Sequence, residues 1–306
     1  MKSKTTYTAL GFLTLLIWGT SPAFTKILSS QLGGFTAAAV VNVIGGILVL
    51  LKQRFVDHQV TTFRQASKRY WFLCGSLFIV YTASSYISMA IVHNTQTVVT
   101  LVLIRFLWPL FTLLFTIPLL KQKASPWICA AVLVSLSGIV VAKLGDSIRN
   151  VGNLFQTFSQ DCWAYVLCLV VAVSWGLYTN FTKKLLLHPE ADGVGIFMLL
   201  SGIILGAISF CLPEPRLFNA QILWPLFYQS VVVSFLANIL WNQAIIKGKM
   251  LAVVLASNFL PIISTVSSSL MLGIPLNGYI IFGSLLVIAG TCWSRWCFKR
   301  KEQHEV

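Results

Sequence analysis

Charged residues are scarce in this chain of 306 residues, and acidic residues are the scarcest of them. Only 10% of the residues are charged while 57% are apolar, and Asp and Glu together number 8. A soluble domain carries roughly 25% charged residues, which keep its surface compatible with water. The mean hydropathy of +0.82 therefore indicates a protein dissolved in lipid, with no room for a separate soluble domain.

The few acids and cysteines also exclude several kinds of chemistry. No Asp or Glu lies within an apolar run, Asp161 stands at the start of one, and His93 stands at the end of another. Intramembrane Asp, Glu or His residues form the usual proton relays of transporters. Paired carboxylates, a nucleophile elbow, clustered metal ligands and CxxC spacing are all lacking. We expect no enzyme, no metal and no cofactor, and facilitated diffusion or exchange rather than proton-driven transport.

The chain does contain ten long apolar runs. A helix needs about 20 apolar residues to cross the hydrocarbon core. Continuous runs favour helices over a barrel, whose strands alternate in polarity. We therefore predict an all-α integral membrane protein with ten transmembrane helices. The runs lie near 6–28, 33–51, 70–92, 95–120, 125–143, 161–186, 193–212, 222–247, 251–273 and 277–298.

The basic residues alternate between the two sides of these predicted helices. Of the 22 Lys and Arg residues, 17 fall in the connections of one side, four fall on the other, and Arg105 lies within a run. Cytoplasmic connections carry the excess of Lys and Arg. Both termini are therefore predicted to be cytoplasmic, in a bacterial inner membrane. The same clusters account for the net charge of +14, and without a basic face we expect no nucleic-acid partner.

The two halves of the chain repeat each other. Trp18-Gly19 and Trp175-Gly176 begin matching segments at an offset of 157, and Pro109 and Pro261 mark a second pair at an offset of 152. Each half holds five predicted helices, an odd number, so the second half enters the membrane upside down. Inverted repeats are the architecture of many secondary transporters, which bind substrate between the repeats.

The repeat predicts the domain organisation. We expect a first five-helix repeat at 1–143, a non-cytoplasmic linker at 144–160 and an inverted second repeat with a short cytoplasmic tail at 161–306, around a central cavity. Gly202 and Gly206 form a GxxxG pair in the seventh helix. We expect this pair to pack within the chain, and the protein to be a monomer rather than a homodimer.

These motifs also carry a family resemblance. The segment 18–24, the helices with Pro109 and Pro261, and the helices with Gly138 and Gly290 resemble the drug/metabolite transporter superfamily, EamA type. The stretch from Asn238 to Pro261 is most similar to the aromatic amino-acid exporter branch. The whole chain also resembles the S-adenosylmethionine transporters of obligate intracellular bacteria. The resemblance implies a basket of ten helices, with a cavity lined by the first, third, fourth, sixth, eighth and ninth.

Arg105 is the strongest candidate for substrate binding. It lies close to the middle of the fourth helix, where an ionised side chain costs at least about 2.5–3.5 kcal/mol, and no embedded acid is available to pair with it. One interpretation is that its guanidinium binds a substrate carboxylate. The other is a structural arginine that bonds backbone carbonyls at the Pro109 break.

Aromatic and amide residues complete the predicted site. Deep tryptophans offer flat faces to a ring or a cation, although helix packing explains them equally well, and interhelical hydrogen bonds explain most buried amides. Three prolines should kink their helices and help gating. The substrate-binding candidates besides Arg105 are Trp18, Trp175, Trp241, Asn238, Asn242, Tyr81, Tyr86, Trp108, Tyr178 and Asn258, and the kink candidates are Pro22, Pro109 and Pro261.

Together these features predict a secondary transporter for a small amino-acid-like metabolite. The expected partners are lipid and a substrate with a carboxylate and an aromatic or adenine ring. S-adenosylmethionine exchanged for S-adenosylhomocysteine is the first expectation, and it leans on the resemblance. Export of aromatic amino acids is the alternative, since it would use the same residue types.

Overall fold

The computed structural model describes residues 4–57, 66–93, 97–144, 161–186, 193–247, 253 and 256–297, and among these it contains helices and no strand. Seven helices are long and apolar enough to cross a membrane, and three shorter apolar helices accompany them. The predicted all-α fold of ten helices is confirmed. In chain order they are α1 (Lys4–Leu32), α2 (Gly34–Phe55), α3 (Lys68–Ile91), α4 (Thr97–Leu120), α5 (Ile128–Leu144), α6 (Cys162–Leu185), α7 (Val194–Phe210), α8 (Ala220–Phe227, Tyr228–Leu236 and Ala237–Lys247), α9 (Ser257–Leu272) and α10 (Gly278–Trp296).

Local hydrogen bonds fix where several helices begin. Gly33 adopts a positive φ of 87°, which lets the chain turn from α1 into α2 within one residue. The Glu214 carboxylate then accepts hydrogen bonds from two backbone N–H groups at the start of α2, both at 2.8 Å. The side chains of Ser67, Asn219 and Asn277 cap α3, α8 and α10 in the same way.

The packing of the helices follows a pseudo-twofold pattern. α1 of the first repeat packs on α8 and α9 of the second repeat. In the same way, α6 of the second repeat packs on α3 and α4 of the first. Advancing each number by five converts one set of contacts into the other. The pairs α2–α7 and α5–α10 each join equivalent helices of the two repeats. The fold is thus two inverted five-helix repeats around a central cavity.

Small residues let the joining pairs approach closely. A Cβ built on Gly138 of α5 would lie 2.5 Å from the backbone oxygen of Gly283 in α10. A Cβ on Gly202 of α7 would lie 2.7 Å from the backbone nitrogen of Val43 in α2. Larger side chains would force either pair apart. The GxxxG segment of α7 therefore packs within the chain, as expected.

Two of the predicted continuous helices are interrupted at their prolines. α4 consists of Thr97–Arg105 and Trp108–Leu120, and Pro109 stands in the first turn of the second segment. α9 begins with a 3-10 turn at Ser257–Phe259, and Pro261 again stands in the first turn of the segment that follows. Proline is tolerated there because the first N–H groups of a helix have no internal partner.

α1 and α8 show two further features. α1 is helical from Lys4 to Leu32 with Pro22 inside it, and the kink expected at Pro22 stays a prediction. α8 was predicted as one regular helix, but its middle segment, Tyr228–Leu236, is a π-helix that follows Pro225. π-helical turns are rare and are found frequently at functional sites.

Candidate functional site

A cavity of about 350 Å³ lies between the two repeats. Its walls come from the six helices implied by the resemblance, and also from α2 and α7. The lining is mainly apolar and aromatic, with one charged side chain. The residues that line it are Trp18, Ser21, Thr25, Asn42, Phe78, Tyr81, Thr82, Ser85, Tyr86, Arg105, Phe106, Trp108, Val171, Trp175, Thr179, Val194, Met198, Gln229, Val233, Ser234, Asn238, Trp241 and Leu260.

Arg105 is the charged group in this lining. It ends the first segment of α4, so the break in the helix directs its side chain into the cavity. One guanidinium nitrogen donates to the Ser85 hydroxyl, and another donates to the Tyr81 hydroxyl at 3.3 Å. The guanidinium carbon also lies 5.8 Å from the centre of the Tyr81 ring, within the range of a cation–π contact.

Arg105 has no acid partner among the residues that the structure describes. Among the described residues, the ion pairs join Lys52 to Asp57 and His93 to Asp161, and neither involves Arg105. A guanidinium has more N–H donors than the two hydroxyls use. The alternative of a structural arginine predicted bonds to backbone carbonyls at the break, whereas the observed partners are hydroxyls of α3. The Arg105 guanidinium therefore keeps N–H donors that are free to bind a ligand.

Two pairs of aromatic rings in the lining are related by the pseudo-twofold. Trp18 of α1 and Trp241 of α8 have ring centroids 5.0 Å apart. Trp175 of α6 and Tyr81 of α3 have centroids 4.7 Å apart. The equivalent tryptophans of the two repeats thus each pair with a ring from the helix that packs beside them. Tryptophans outside the cavity behave differently, since Trp127 is 66% exposed.

A glycine follows Trp18 and Trp175, and it lets their helices pack closely on their neighbours. A Cβ on Gly176 would lie 3.0 Å from the backbone nitrogen of Thr112 in α4. A Cβ on Gly19 would overlap Ile263 in α9, the equivalent helix of the other repeat. Each glycine therefore lets its helix pack tightly against the second segment of α4 or α9.

Most of the predicted site residues lie in the cavity lining. Arg105, Trp18, Trp175, Trp241, Asn238, Tyr81, Tyr86 and Trp108 do so. Two others lie outside the lining, and a third is not tested. Tyr178 packs behind the lining against Phe78 and Phe197, Asn258 is buried in α9 away from it, and the side chain of Asn242 lies outside the described residues.

Sequence reasoning missed several polar residues of the lining, among them Ser21, Thr25 and Gln229. Gln229 lies in the π-helical segment of α8 and donates from Nε2 to Ser21 at 3.0 Å and to Thr25 at 3.3 Å. It is an amide in the middle of the apolar run 222–247, and that pattern could have identified it. The mixed lining of Gln229, Arg105 and tryptophans suits a ligand with both polar and aromatic parts.

Charged groups also meet outside the cavity, at one end of α1, α3 and α6. Lys26 donates from Nζ to the carbonyls of Met89 at 2.9 Å and Val92 at 3.1 Å. Asp161 accepts a hydrogen bond from the backbone N–H of His93 at 3.0 Å. None of these residues lines the cavity. Their contacts join three helices, and the expectation that transport is not proton-driven stays a prediction.

No group of three or more His, Cys, Asp or Glu residues that could hold a metal ion occurs in the part of the chain that the structure describes. Within those same residues Cys74, Cys168 and Cys297 are buried. The described lining of the cavity offers one cation, several hydroxyls and amides, and aromatic faces.

The sequence is similar to known membrane transporters. The sequence profile of the EamA-like transporter family matches residues 5–144 and 162–296. The aromatic amino acid exporters YddG of Salmonella typhimurium and Escherichia coli are each 25% identical over 289 residues, which cover 94% of this chain and 96% of theirs. An uncharacterized transporter of Clostridium kluyveri is 26% identical over 295 residues, 91% of this chain and 89% of its own.

A crystal structure of another protein shares the fold. It aligns with a TM-score of 0.65 at 20% identity, over 97% of this chain and 100% of the other. The relatives named above are transporters or exporters, which agrees with the expectation of transport rather than catalysis. None of these relatives is named for S-adenosylmethionine, so they favour the alternative expectation over the first one.

Proposed function

The chain belongs to the EamA-like transporter family, and on that premise we propose that it exports aromatic amino acids across the bacterial inner membrane. The observation that carries the proposal is the cavity itself. It combines an arginine that has no acid partner among the described residues with tryptophans from both repeats. A free amino acid presents a carboxylate for the first and an aromatic ring for the second.

The carboxylate site would be formed by Arg105 together with the hydroxyls that hold it. Ser85 and Tyr81 occupy some of the guanidinium donors and fix the orientation of the fork. The remaining donors would bind both oxygens of a carboxylate, for which the geometry of arginine is well suited. Binding would also neutralise a charge that is costly at this depth, so a loaded cavity should be more stable than an empty one.

The ring site would be formed by Trp18 and Trp175. Both lie beside a glycine that brings α9 or α4 close, and both line the cavity from opposite repeats. Offset aromatic contacts contribute about 0.5–1.5 kcal/mol beyond the burial of area. Two such faces would favour indole and phenyl side chains over aliphatic ones.

Alternating access would follow from the inverted repeats. We infer that residues 1–143 and 161–306 are the two repeats, with both termini in the cytoplasm and 144–160 on the opposite side. The contacts of α1 with α8 and α9, and of α6 with α3 and α4, are equivalent under the pseudo-twofold. Exchange of their roles would open the cavity to one side or the other without a new fold.

Transport in liposomes tests the proposal. Purified protein would be reconstituted, and uptake of labelled tryptophan measured in competition with phenylalanine, tyrosine, S-adenosylmethionine and S-adenosylhomocysteine. We expect the aromatic amino acids to compete and the two adenosyl compounds not to. Inhibition by the adenosyl compounds alone would favour S-adenosylmethionine exchange instead.

A pair of arginine variants serves as the internal control. Arg105→Gln should abolish saturable tryptophan uptake. Arg216→Gln should not, because Arg216 lies outside the cavity and donates to the carbonyl of Leu212 at 3.0 Å. Equal uptake by the two variants would refute the role of Arg105.

A further inference from the structure

The Gln229 side chain is held in one orientation by two hydroxyls of α1. Its Nε2 lies 3.0 Å from Ser21 Oγ and 3.3 Å from Thr25 Oγ1. The Thr25 hydroxyl already donates its only hydrogen to the backbone oxygen of Ser21, at 2.8 Å. Toward Gln229 it can therefore only accept, which requires the NH₂ end of the amide to point at α1.

This orientation leaves the other end of the amide without a partner. Gln229 is only 4% exposed, and among the described residues its Oε1 has no hydrogen-bond donor. Buried polar atoms are nearly always satisfied, and an exception calls for an explanation. Gln229 belongs to the cavity lining, and an amide that served only to join α8 to α1 would not need an oxygen without a donor. This oxygen can still accept a hydrogen bond.

Gln229 and Arg105 line the same cavity, together with the buried side chain of Tyr86. The backbone around Gln229 is a π-helix, which shifts side chains relative to a regular helix and is typical of functional sites.

We propose that Gln229 Oε1 accepts a hydrogen bond from the α-ammonium group of the substrate, so that Arg105 and Gln229 hold the two charged ends of an amino acid zwitterion. The inference rests on the proposed function and adds to it the means of choosing amino acids over other aromatic acids. A ring face attracts a cation but supplies no directed acceptor. The amide supplies one at a fixed place.

Three compounds separate the parts of the site. Tryptophan has the ring, the carboxylate and the ammonium; indole-3-propionate lacks the ammonium, and tryptamine lacks the carboxylate. Calorimetric titration of each compound into the purified protein gives its dissociation constant. A hydrogen bond to a charged group corresponds to about tenfold or more in affinity, so the unaltered protein should bind tryptophan about tenfold more tightly than indole-3-propionate.

Gln229→Leu should weaken tryptophan about tenfold and leave indole-3-propionate unchanged, which removes the preference. Gln229→Glu retains an acceptor and adds a negative charge, so it should increase the preference; it also decides the case if the Leu variant does not fold. Gln243→Leu is the matched control, because Gln243 lies in the same helix but does not line the cavity. It should change neither constant.

Two results would overturn the inference. One is an equal loss of affinity for tryptophan and indole-3-propionate in Gln229→Leu, which indicates a merely structural amide. The other is an unchanged preference in both Gln229 variants. Failure of the proposed function is visible separately: the unaltered protein would then bind none of the three compounds, and the inference would fall with it.

Discussion

Replacing Arg105 by glutamine should leave the fold about as stable as before while it removes carboxylate binding. A charge near the bilayer centre costs at least about 2.5–3.5 kcal/mol, and the substitution relieves that cost. The same change gives up the hydrogen bonds to Ser85 and Tyr81, each worth about 1.5–3 kcal/mol when the donor is charged. The glutamine amide can still donate to Ser85, so the two effects nearly cancel.

Thermal unfolding in detergent measures this balance. We expect the midpoint of Arg105→Gln to shift by less than about 4 °C. Arg105→Lys should be less stable than Arg105→Gln, because it keeps the buried charge and loses the planar fork. At a concentration of about 100 times its dissociation constant, tryptophan should stabilise the unaltered protein by about 2.7 kcal/mol, and Arg105→Gln should lose most of this gain.

Two outcomes would refute the reasoning on Arg105. A fall of many degrees in Arg105→Gln would mean that the arginine is a structural element whose hydrogen bonds outweigh its cost of burial. A tryptophan-induced gain in stability that survives in Arg105→Gln would mean that the carboxylate binds elsewhere. Arg216→Gln serves as the control for a general effect of removing a positive charge.

Further predictions follow from packing, from the lining and from topology. Gly138→Leu should lower the unfolding midpoint strongly, because even a Cβ there would lie 2.5 Å from a backbone oxygen of α10; unchanged stability would contradict the close α5–α10 contact. Trp18→Ala should weaken tryptophan binding, measured by calorimetry, whereas Trp127→Ala should not, because Trp127 is 66% exposed and outside the cavity. Cys211 and Cys129 are both exposed, at the end of α7 and the start of α5; a membrane-impermeant thiol reagent should label Cys211 in intact cells and Cys129 only after permeabilisation, and the reverse pattern would invert the predicted topology.

The number of helices could be predicted from the sequence because each one must cross a hydrocarbon layer. Length and apolarity alone set that requirement, and they marked all ten runs. The repeat could be predicted as well, since the Trp-Gly pairs keep their spacing at an offset of 157. The structure agrees: Gly19 and Gly176 pack against equivalent segments of α9 and α4.

Local features of the helices were predicted less well. Pro109 and Pro261 coincide with breaks, but Pro22 lies in an unbroken helix. The presence of a proline does not by itself determine whether the helix breaks, because the neighbouring residues can continue the helix past it. The π-helical segment of α8 leaves no mark in composition, because its residues are as apolar as those of a regular helix.

Composition and spacing by themselves predicted a ten-helix membrane protein with inverted halves and an arginine within an apolar run that contains no acid. Those properties follow from the length and apolarity of each run and from the number of runs in each half, which can be read along the chain. The tertiary structure alone decided which side chains share the cavity. It excluded Tyr178 and Asn258, and it brought Gln229 together with Ser21 and Thr25 of another helix. Such contacts depend on how helices rotate and pack against each other, and no pattern within a single helix specifies that.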